Sequence, residues 1–316
     1  MSKKVIIDCD AGVDDALAII LALKSPELDV KAITTVSGNV SASQCYRNVL
    51  RIMEILNPFY HPVLAKGSEK PLSGKDNFVP NIHGEDGLGD IEKILNDDGT
   101  TRYSPLNAFE IRGNAVSLFY ELIETYPNEI TLIATGPLTN VAMAIKSGKN
   151  KMRKLREIVL MGGAFSTPGN VTPFAEFNIF CDPEAAKIVF NSGIPVTAVG
   201  LDVTHRVVLS EEWLVKSIGN SKTKLNQFII DITKKYMDFH KKYEKFSGCY
   251  LHDPLAAGVA IDRSFVKTMK AKIDVETKKG GMRGRTTLDL SRPFSEICTE
   301  VDAGQFLKFF IERVIE

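Results

Sequence analysis

Four aspartates lie within eight residues near the start of the chain, in the segment 8–15 with the sequence DCDAGVDD. The β-branched run before this segment predicts a buried strand, and the apolar run after it predicts a helix. Asp14 and Asp15 would lie in the first turn of that helix, where acidic side chains offset the positive end of the helix dipole. Asp8 and Asp10 lack this explanation. Four like charges at a buried edge are costly unless a cation gathers them.

The carboxylates of segment 8–15 could hold a metal ion. Asp10 and Asp15 are far enough apart in sequence for a loop to bring both onto one ion from opposite sides. An all-oxygen set of ligands favours Ca²⁺ or Mg²⁺ over zinc, which prefers histidine and cysteine. The alternative is a solvated helix start that is capped by acids and binds no ion.

The tripeptide His252-Asp253-Pro254 has two compatible interpretations. As local structure, Asp253 would cap a helix and Pro254 would take its first position. As chemistry, Asp253 would be a third carboxylate for the metal ion and His252 a proton donor beside it. A capping aspartate can also be a ligand, so one residue could serve both purposes.

Two loops carry further polar side chains. Asn170, Glu176 and Asn178 lie on one loop, and such amide and carboxylate groups suit sugar hydroxyl groups. A plain turn-rich loop explains this set equally well. The long glycine-rich segment 66–99 predicts a functional loop or lid. His83 within it would more often be an ordinary surface residue.

Strand and helix signals alternate through most of the chain. The strand signals fall at residues 5–7, 30–36, 62–65, 130–135, 158–161 and 195–201, with a late hairpin at 266–275 and 286–290. The helix signals fall at 16–23, from Ser41 or Ser43 to 56, at 106–126, from Pro137, at 182–191, 210–218 and 225–245, from Pro254 to 261, and at 302–314. This alternation predicts an α/β fold with a mostly parallel central sheet flanked by helices, in a single domain over residues 1–316.

The polar groups cluster at one edge of this predicted sheet. Ligands of parallel sheets bind beyond the carboxyl ends of the strands. Asp10 follows the first strand, Asn39 the second and Thr135 the fourth, and the loop 162–178 follows the fifth. Polar residues that merely face solvent would be scattered over the surface rather than gathered at one edge of the sheet. The sequence therefore predicts a functional site at this edge.

The composition of the chain indicates which kinds of binding partner and which compartment to expect. Lys+Arg and Asp+Glu both number 39 in 316 residues, and a net charge of zero implies no general attraction to nucleic acid or to a membrane. No apolar run approaches the roughly 20 residues of a membrane span, and the N-terminus lacks the apolar core of a signal peptide. Five scattered cysteines favour reduced thiols in a cytoplasmic protein over disulfides or a zinc site.

Taken together, these motifs resemble the inosine–uridine-preferring nucleoside hydrolase superfamily. Segment 8–15 is similar to the family's DxDxGxDD signature, and the resemblance continues in the family's order through 135–140, 161–163, Asn170, 176–178 and 252–254. It implies a Rossmann-like nucleoside hydrolase fold and hydrolysis of ribonucleosides to free base and ribose. It also implies a homotetramer or homodimer that serves nucleoside salvage. Ala11 stands where the family usually has proline and Cys9 where threonine is common, which predicts altered loop stiffness at most.

The resemblance further implies a site. A tightly bound Ca²⁺ would be held by Asp10, Asp15, Asp253 and the backbone carbonyl of Thr135. A water on the ion would attack the anomeric carbon, with Asp10 as general base, while His252 would protonate the departing base. Asp8 would only orient the loop. The ribose would be held by Asp14, Asn39, Asn170, Glu176, Asn178 and Asp253.

The base would be enclosed by His83 and by the helix before the tripeptide, where Tyr236, His240 and Tyr243 are the candidates. The purine-specific branch of the family surrounds the base with tryptophans, but the one tryptophan here, Trp213, lies outside these segments. In having a histidine at the start of the tripeptide, the chain instead resembles the branch of the family that acts on pyrimidine or mixed nucleosides. We therefore expect hydrolysis of uridine, cytidine or inosine, with a pyrimidine preference or broad specificity.

Two rival functions remain open on the sequence. A haloacid-dehalogenase-like phosphatase also begins with a strand and Asp-x-Asp, which Asp8 and Asp10 fit, but that class does not account for Asp14-Asp15 or His252. A Ca²⁺-dependent nucleoside- or ribose-binding protein that has lost turnover would need neither a general base nor a general acid.

Overall fold

Most strands of the computed structural model, which describes residues 2–74, 78–104 and 113–316, belong to one sheet. The described strands are β1 (Lys3–Cys9), β2 (Leu28–Thr35), β3 (Val63–Lys66), β4 (Thr131–Ala134), β5 (Glu157–Met161), β6 (Val196–Val199), β7 (Val208–Ser210), β8 (Gly248–Tyr250), β9 (Val266–Val275), β10 (Thr286–Asp289) and β11 (Ser295–Val301). The sheet has the order β10-β9-β11-β6-β5-β4-β1-β2-β3, and β7 pairs separately with β8.

The sheet is parallel except at one end. β9 runs antiparallel to both β10 and β11, and each remaining pair of neighbours in the sheet is parallel. The predicted α/β class with a mostly parallel central sheet is therefore confirmed, and so is the late hairpin. The carboxyl ends of β1, β2, β4 and β5 meet at one edge, which is where ligands bind in such sheets.

Helices cover both faces of the sheet. They are α1 (Val13–Leu23), α2 (Ala42–Leu56), α3 (Pro80–His83), α4 (Ala115–Thr125), α5 (Thr139–Met152), α6 (Phe177–Cys181), α7 (Pro183–Phe190), α8 (Leu201–Thr204), α9 (Glu211–Ile218), α10 (Lys224–Tyr243), α11 (His252–Ile261) and α12 (Ala303–Val314). Alternate residues of β1 enter different cores: Val5 and Ile7 pack with α1 and α11, whereas Ile6 packs with α4 and α5. Each described helix is too short or too polar to serve as a membrane span.

The burial of α1 explains where its acidic residues lie. The helix is apolar on all sides and packs against β2, α2, α10 and α11, so it is buried along almost its whole length. Its first turn, with Asp14 and Asp15, is buried as well. The carboxylates of this turn therefore lie inside the protein at the end of β1.

Several predicted helix starts are confirmed. At each of them a side chain caps the helix, which explains why it begins there. Ser41 accepts a hydrogen bond from the Gln44 N–H at the start of α2, and Asp182 and Asp302 cap α7 and α12 in the same way. Such caps satisfy N–H groups that have no partner within the helix.

One predicted helix start is wrong, and another lies outside the described residues. Of the helix predicted over 106–126, the structure describes α4 from Ala115, where Asn114 forms a capping box with Ser117, and residues 105–112 lie outside the described part of the chain. The helix expected to open at Pro137 begins at Thr139. The loop before α5 is therefore longer than the sequence pattern indicates.

Other elements are shorter than predicted or were not predicted at all. The strand predicted over 195–201 ends at Val199, and the residues after it form α8. The segment 66–99 is not wholly irregular, because it contains α3 and a turn of 3₁₀ helix at Ile91–Lys93. The strand β11 was missed because it mixes polar with apolar residues, and the helix α6 was missed because it has only five residues.

Candidate active site

A cavity of about 300 Å³ opens at the carboxyl ends of the central strands, where the sequence predicts the site. Its lining comes from segments that are far apart in the chain. The predicted site residues in that lining are Asp10, Asp14, Asn39, His83, Thr135, Asn170, Glu176, Asn178, Tyr236, His240, His252 and Asp253. The fold therefore brings all the predicted residues to this cavity except Asp15, which lies below its floor, and Tyr243.

Three carboxylates meet at the floor of the cavity. One oxygen from each of Asp14, Asp15 and Asp253 lies within 4.8 Å of the other two, and all three side chains are buried. Burial raises the pKa of all three carboxyl groups, and the Asp15 charge adds to the rise at Asp14, which reaches about 8. Such a cluster has the oxygen donors that a hard cation prefers, and a cation would relieve the repulsion.

Asp10 lies beside this cluster at the end of β1. Its Oδ2 accepts a 2.7 Å hydrogen bond from the backbone N–H of Asn39, in the loop after β2. Burial and then the Asp15 charge raise the pKa of Asp10 well above its ordinary range. A Cβ atom on Gly38 would lie only 2.0 Å from the same oxygen, so this close approach of the loop requires glycine.

Thr135 connects β4 to the cluster through both of its oxygen atoms. Its hydroxyl donates to Asp15 Oδ1 at 2.7 Å, and its carbonyl accepts from Asn178 Nδ2 at 2.7 Å. The same amide nitrogen donates to the Met161 carbonyl at 3.2 Å. Because Nδ2 is engaged, Oδ1 is the atom that Asn178 can offer to a sugar hydroxyl.

Asp8 stabilises the sheet behind the cavity. Its Oδ1 accepts hydrogen bonds from the Thr34 hydroxyl at 2.6 Å and from Asn140 Nδ2 at 2.8 Å, and burial raises the pKa of Asp8 to about 7. The neighbouring Cys9 thiol donates to the Thr34 carbonyl. These contacts join β1 to β2 and α5, and they hold in place the turn that carries Asp10.

Glu176 is the N-cap of α6, a function that the sequence did not reveal. Its Oε1 accepts from the Asn178 N–H at 2.8 Å and its Oε2 from the Ile179 N–H at 3.0 Å. Asn170 Oδ1 accepts from the Phe177 N–H at 2.9 Å. The two side chains thus organise the loop that carries them as well as lining the cavity.

Aromatic and imidazole rings form another wall of the cavity. His83 stacks on Tyr236 with ring centroids 5.1 Å apart, and Tyr236 contacts His240 at 4.5 Å. The sequence did not point to four further residues in this part of the lining, which lie on or next to α8, α10 and β8: His205, Phe239, Glu244 and Tyr250.

Tyr243 does not join this wall. It is the last residue of α10, its side chain is 60% exposed, and its ring packs on Phe239 at 4.8 Å. The residue that follows the helix, Glu244, lines the cavity instead.

His252 is the first residue of α11, so Asp253 lies within the first turn and is not the cap that the sequence predicts. The carboxylate of Asp253 turns to the acidic cluster. His252 Nδ1 lies 2.7 Å from the Thr204 hydroxyl oxygen. Burial and then the nearby His205 lower the pKa of His252 well below its ordinary range, so the ring is neutral and carries one proton.

One buried amide connects the two loops that flank the cavity. Asn48 Nδ2 donates to the Ala11 carbonyl at 3.0 Å and to the Asp86 carbonyl at 2.7 Å. Ala11 has a φ of +38°, in the left-handed region that residues other than glycine rarely adopt. The turn at Ala11 is therefore strained, and Asn48 holds it in place.

The Asn48→Ala variant is expected to lose both stability and activity. It leaves the carbonyls of Ala11 and Asp86 without this donor and removes the acceptor of Arg51 Nη1, which should cost about 2–4 kcal/mol. Thermal melting should fall by several degrees, and kcat/KM for the reaction at this site by about tenfold or more. Gln44→Ala is the control, because Gln44 donates to the same Asp86 carbonyl at 3.3 Å from a more exposed position. Equal effects in the two variants would contradict this account.

Known proteins similar to this chain match it along nearly its whole length. The family model described as inosine-uridine preferring nucleoside hydrolase matches residues 5–308. Uridine nucleosidase 1 of Arabidopsis thaliana is 40% identical over 288 residues, which cover 91% of this chain and 82% of that protein. The pyrimidine-specific ribonucleoside hydrolase RihA of Salmonella arizonae is 39% identical over 323 residues, 99% of each chain. A solved structure, the purine-preferring ribonucleoside hydrolase from Gardnerella vaginalis, matches with a TM-score of 0.89 and 34% identity, over 99% of this chain and 98% of that one.

Proposed function

Because this chain belongs to the inosine-uridine preferring nucleoside hydrolase family and is a ribonucleoside hydrolase, we propose that it cleaves uridine and cytidine, with inosine as a further substrate, to free base and ribose. Relatives named for uridine and for pyrimidine nucleosides support the pyrimidine preference. The structural neighbour named purine-preferring is less similar in sequence. The family match over residues 5–308 leaves no support for the phosphatase alternative.

One observation carries the proposal: buried carboxylates and neutral imidazole rings line the same cavity. Breaking an N-glycosidic bond builds positive charge on the ribose ring and negative charge on the leaving base. Carboxylate and amide oxygens stabilise the oxocarbenium-like sugar, and N–H donors stabilise the base. A cavity that holds both kinds of group suits both ends of the breaking bond.

Calcium fits the donor set at the floor. Asp10, Asp15, Asp253 and the Thr135 carbonyl would hold the ion, with Asp14 beside it. The described lining of the cavity contains no lysine or arginine that could neutralise these carboxylates, and all of them are buried. Hard oxygen ligands favour calcium over softer metals. When bound, the cation would lower the pKa of a water molecule and orient it toward the anomeric carbon.

Asp10 would take up a proton, and His252 would donate a hydrogen bond to the leaving base. The hydrogen bond from Asn39 holds Asp10 Oδ2, which leaves Oδ1 to accept a proton from the attacking water. The Thr204 hydroxyl would donate to His252 Nδ1 and so place the ring proton on Nε2. That N–H would donate to the departing base as negative charge develops on it, and it acts from the neutral form of the ring.

The remaining residues would bind the substrate. The ribose 2′ and 3′ hydroxyls would meet Asp14, Asn178 and Asp253, and the 5′ hydroxyl would meet Asn170 and Glu176. The side chain of Asn39, which lines the cavity, would lie close to the ribose. His83, Tyr236 and His240 would surround the base.

A reducing-sugar assay on uridine, cytidine, inosine and adenosine tests the proposal. Wild type with calcium should release ribose from uridine and cytidine, and Asp10→Ala should lower the rate by about 10³-fold. Asp238→Ala, which removes an exposed carboxylate of α10, is the control and should keep full activity. Release of ribose from purine nucleosides alone would refute the pyrimidine preference. Calorimetric binding of nucleosides without any ribose release would favour the binding-protein alternative.

A further inference from the structure

Glu244 lines the cavity but has no place in the chemistry described above. It directly follows α10, four residues after His240 and eight after Tyr236, and all three residues line the same cavity. Its side chain is 41% exposed, which places it at the mouth of the cavity rather than on the acidic floor. Its position next to the ring wall makes it a candidate for contact with the base.

His240 turns a hydrogen-bond acceptor toward Glu244. The Nδ1 atom of His240 lies 2.8 Å from the Tyr236 carbonyl oxygen, and a carbonyl can only accept, so Nδ1 carries the ring proton. Burial lowers the pKa of His240, which keeps the ring neutral. The other nitrogen, Nε2, therefore presents a lone pair, and it lies 4.0 Å from Glu244 Oε1. Two acceptors thus lie side by side, too far apart for a hydrogen bond between them.

Tyr250 adjoins the carboxylate of Glu244. Burial and then the interaction of its hydroxyl with Glu244 raise the pKa of Tyr250 to about 12. The ring of Tyr250 contacts the His240 ring at 5.1 Å. The three side chains form one group, which leaves His240 Nε2 and the Glu244 carboxylate as acceptors that face the ligand space.

We propose that Glu244 and His240 form an acceptor pair that recognises the exocyclic amino group of the base, so that this site favours a 4-aminopyrimidine over a 4-oxopyrimidine nucleoside. The inference rests on the proposed function. An amino group has two N–H bonds, one for each acceptor, whereas an oxo group in the same place would meet two lone pairs. A site built to bind a donor rejects an analogue that lacks it, because its polar groups are then left unpaired.

The test compares cytidine with uridine in wild type and in Glu244→Gln. Wild type should have the higher kcat/KM for cytidine, and the variant should lower the cytidine-to-uridine ratio by about tenfold, because the glutamine amide can turn its NH₂ toward a 4-oxo group. Asp238→Asn makes the same carboxylate-to-amide change at an exposed position of α10 and should leave the ratio unchanged. A purely structural role of Glu244 would lower kcat/KM for both substrates by the same factor, and that result would overturn the inference. A wild-type preference for uridine that persists in the variant would also overturn it.

Failure of the proposed function can be told apart from failure of this inference. If wild type releases ribose from neither pyrimidine nucleoside, the proposed function fails. In that case the affinities of wild type and Glu244→Gln for cytidine and uridine are measured by calorimetry. The inference then predicts that the variant lowers the cytidine-to-uridine ratio of these affinities. Tyr250→Phe gives an independent check, because loss of the hydroxyl beside Glu244 should lower the cytidine-to-uridine ratio about two- to threefold while the protein melts as wild type.

Discussion

Asp253→Asn is expected to abolish hydrolysis and yet to make the calcium-free protein more stable. The Asp253 carboxylate has Asp14 and Asp15 as its near neighbours, and burial with their charges raises its pKa. Removing one of several buried like charges relieves repulsion when no cation is present, so melting in a chelator should rise by a few degrees. With calcium, the variant lacks a ligand, so the rise in melting temperature on adding calcium should shrink. The rate of ribose release should fall by about 10³-fold or more.

The matched control is Asp8→Asn, on the strand that leads to the cluster. This change also replaces a buried carboxylate by an amide, but Asp8 Oδ1 accepts hydrogen bonds from Thr34 and Asn140, and both are weaker to a neutral amide oxygen than to a carboxylate. The variant should therefore melt lower than wild type in the chelator as well as in calcium. Melting curves by scanning fluorimetry in both conditions give the four comparisons. An Asp253→Asn protein that melts below wild type in the chelator would contradict the view that a cation holds this cluster together.

The location of the site could be predicted because it follows from local patterns. A buried strand that runs directly into an apolar helix must place the residues between them at the carboxyl edge of the sheet. Asp10 is such a residue, Asp14 and Asp15 follow it in the first turn of α1, and α1 is buried as its composition indicates. Asn39 and Thr135 follow the same rule, each at the end of a predicted strand.

The base end of the cavity could not be predicted in the same way. His205 follows the short helix α8 and Tyr250 ends the three-residue strand β8, and both elements are too short to leave a periodic signal. On α10 the helical spacing indicates the correct face but not which turn reaches the mouth of the cavity. Tyr243 therefore looked equivalent to His240, although only the latter lines the cavity.

The capping functions were hidden for a related reason. An acidic residue before a short helix has the same sequence signature whether it binds a ligand or the N–H groups of that helix. Glu176 looked like a ligand for a sugar hydroxyl, and it also caps α6. Asp253 looked like a helix cap, but it lies inside the helix and faces other carboxylates. Only the path of the backbone distinguishes these cases.

His252→Ala is expected to lower kcat for uridine by about 10³-fold while leaving most of the activity on p-nitrophenyl β-D-ribofuranoside. The reason is the leaving group: uracil departs poorly as an anion and needs the His252 N–H, whereas p-nitrophenolate leaves as a stable anion without help. Thr204→Val should show the same selectivity with a smaller loss, because the Thr204 hydroxyl only fixes which nitrogen of His252 carries the proton.

The ratio of the rates on the two substrates distinguishes stabilisation of the leaving group by His252 from a general effect on the cavity. A variant that merely disturbs the ring wall, in which His252 contacts Tyr250 at 5.2 Å and His205 at 5.5 Å, would bind both ribosides less well and lose both activities together. Asp10→Ala provides a comparison variant in which both rates should fall, because activation of water is needed for either leaving group. Equal losses on uridine and on the p-nitrophenyl riboside in His252→Ala would remove His252 from leaving-group stabilisation. The hydrogen-bond donor to the leaving base would then have to be sought among the other imidazoles that line the cavity, with His83 and His205 as the first to replace.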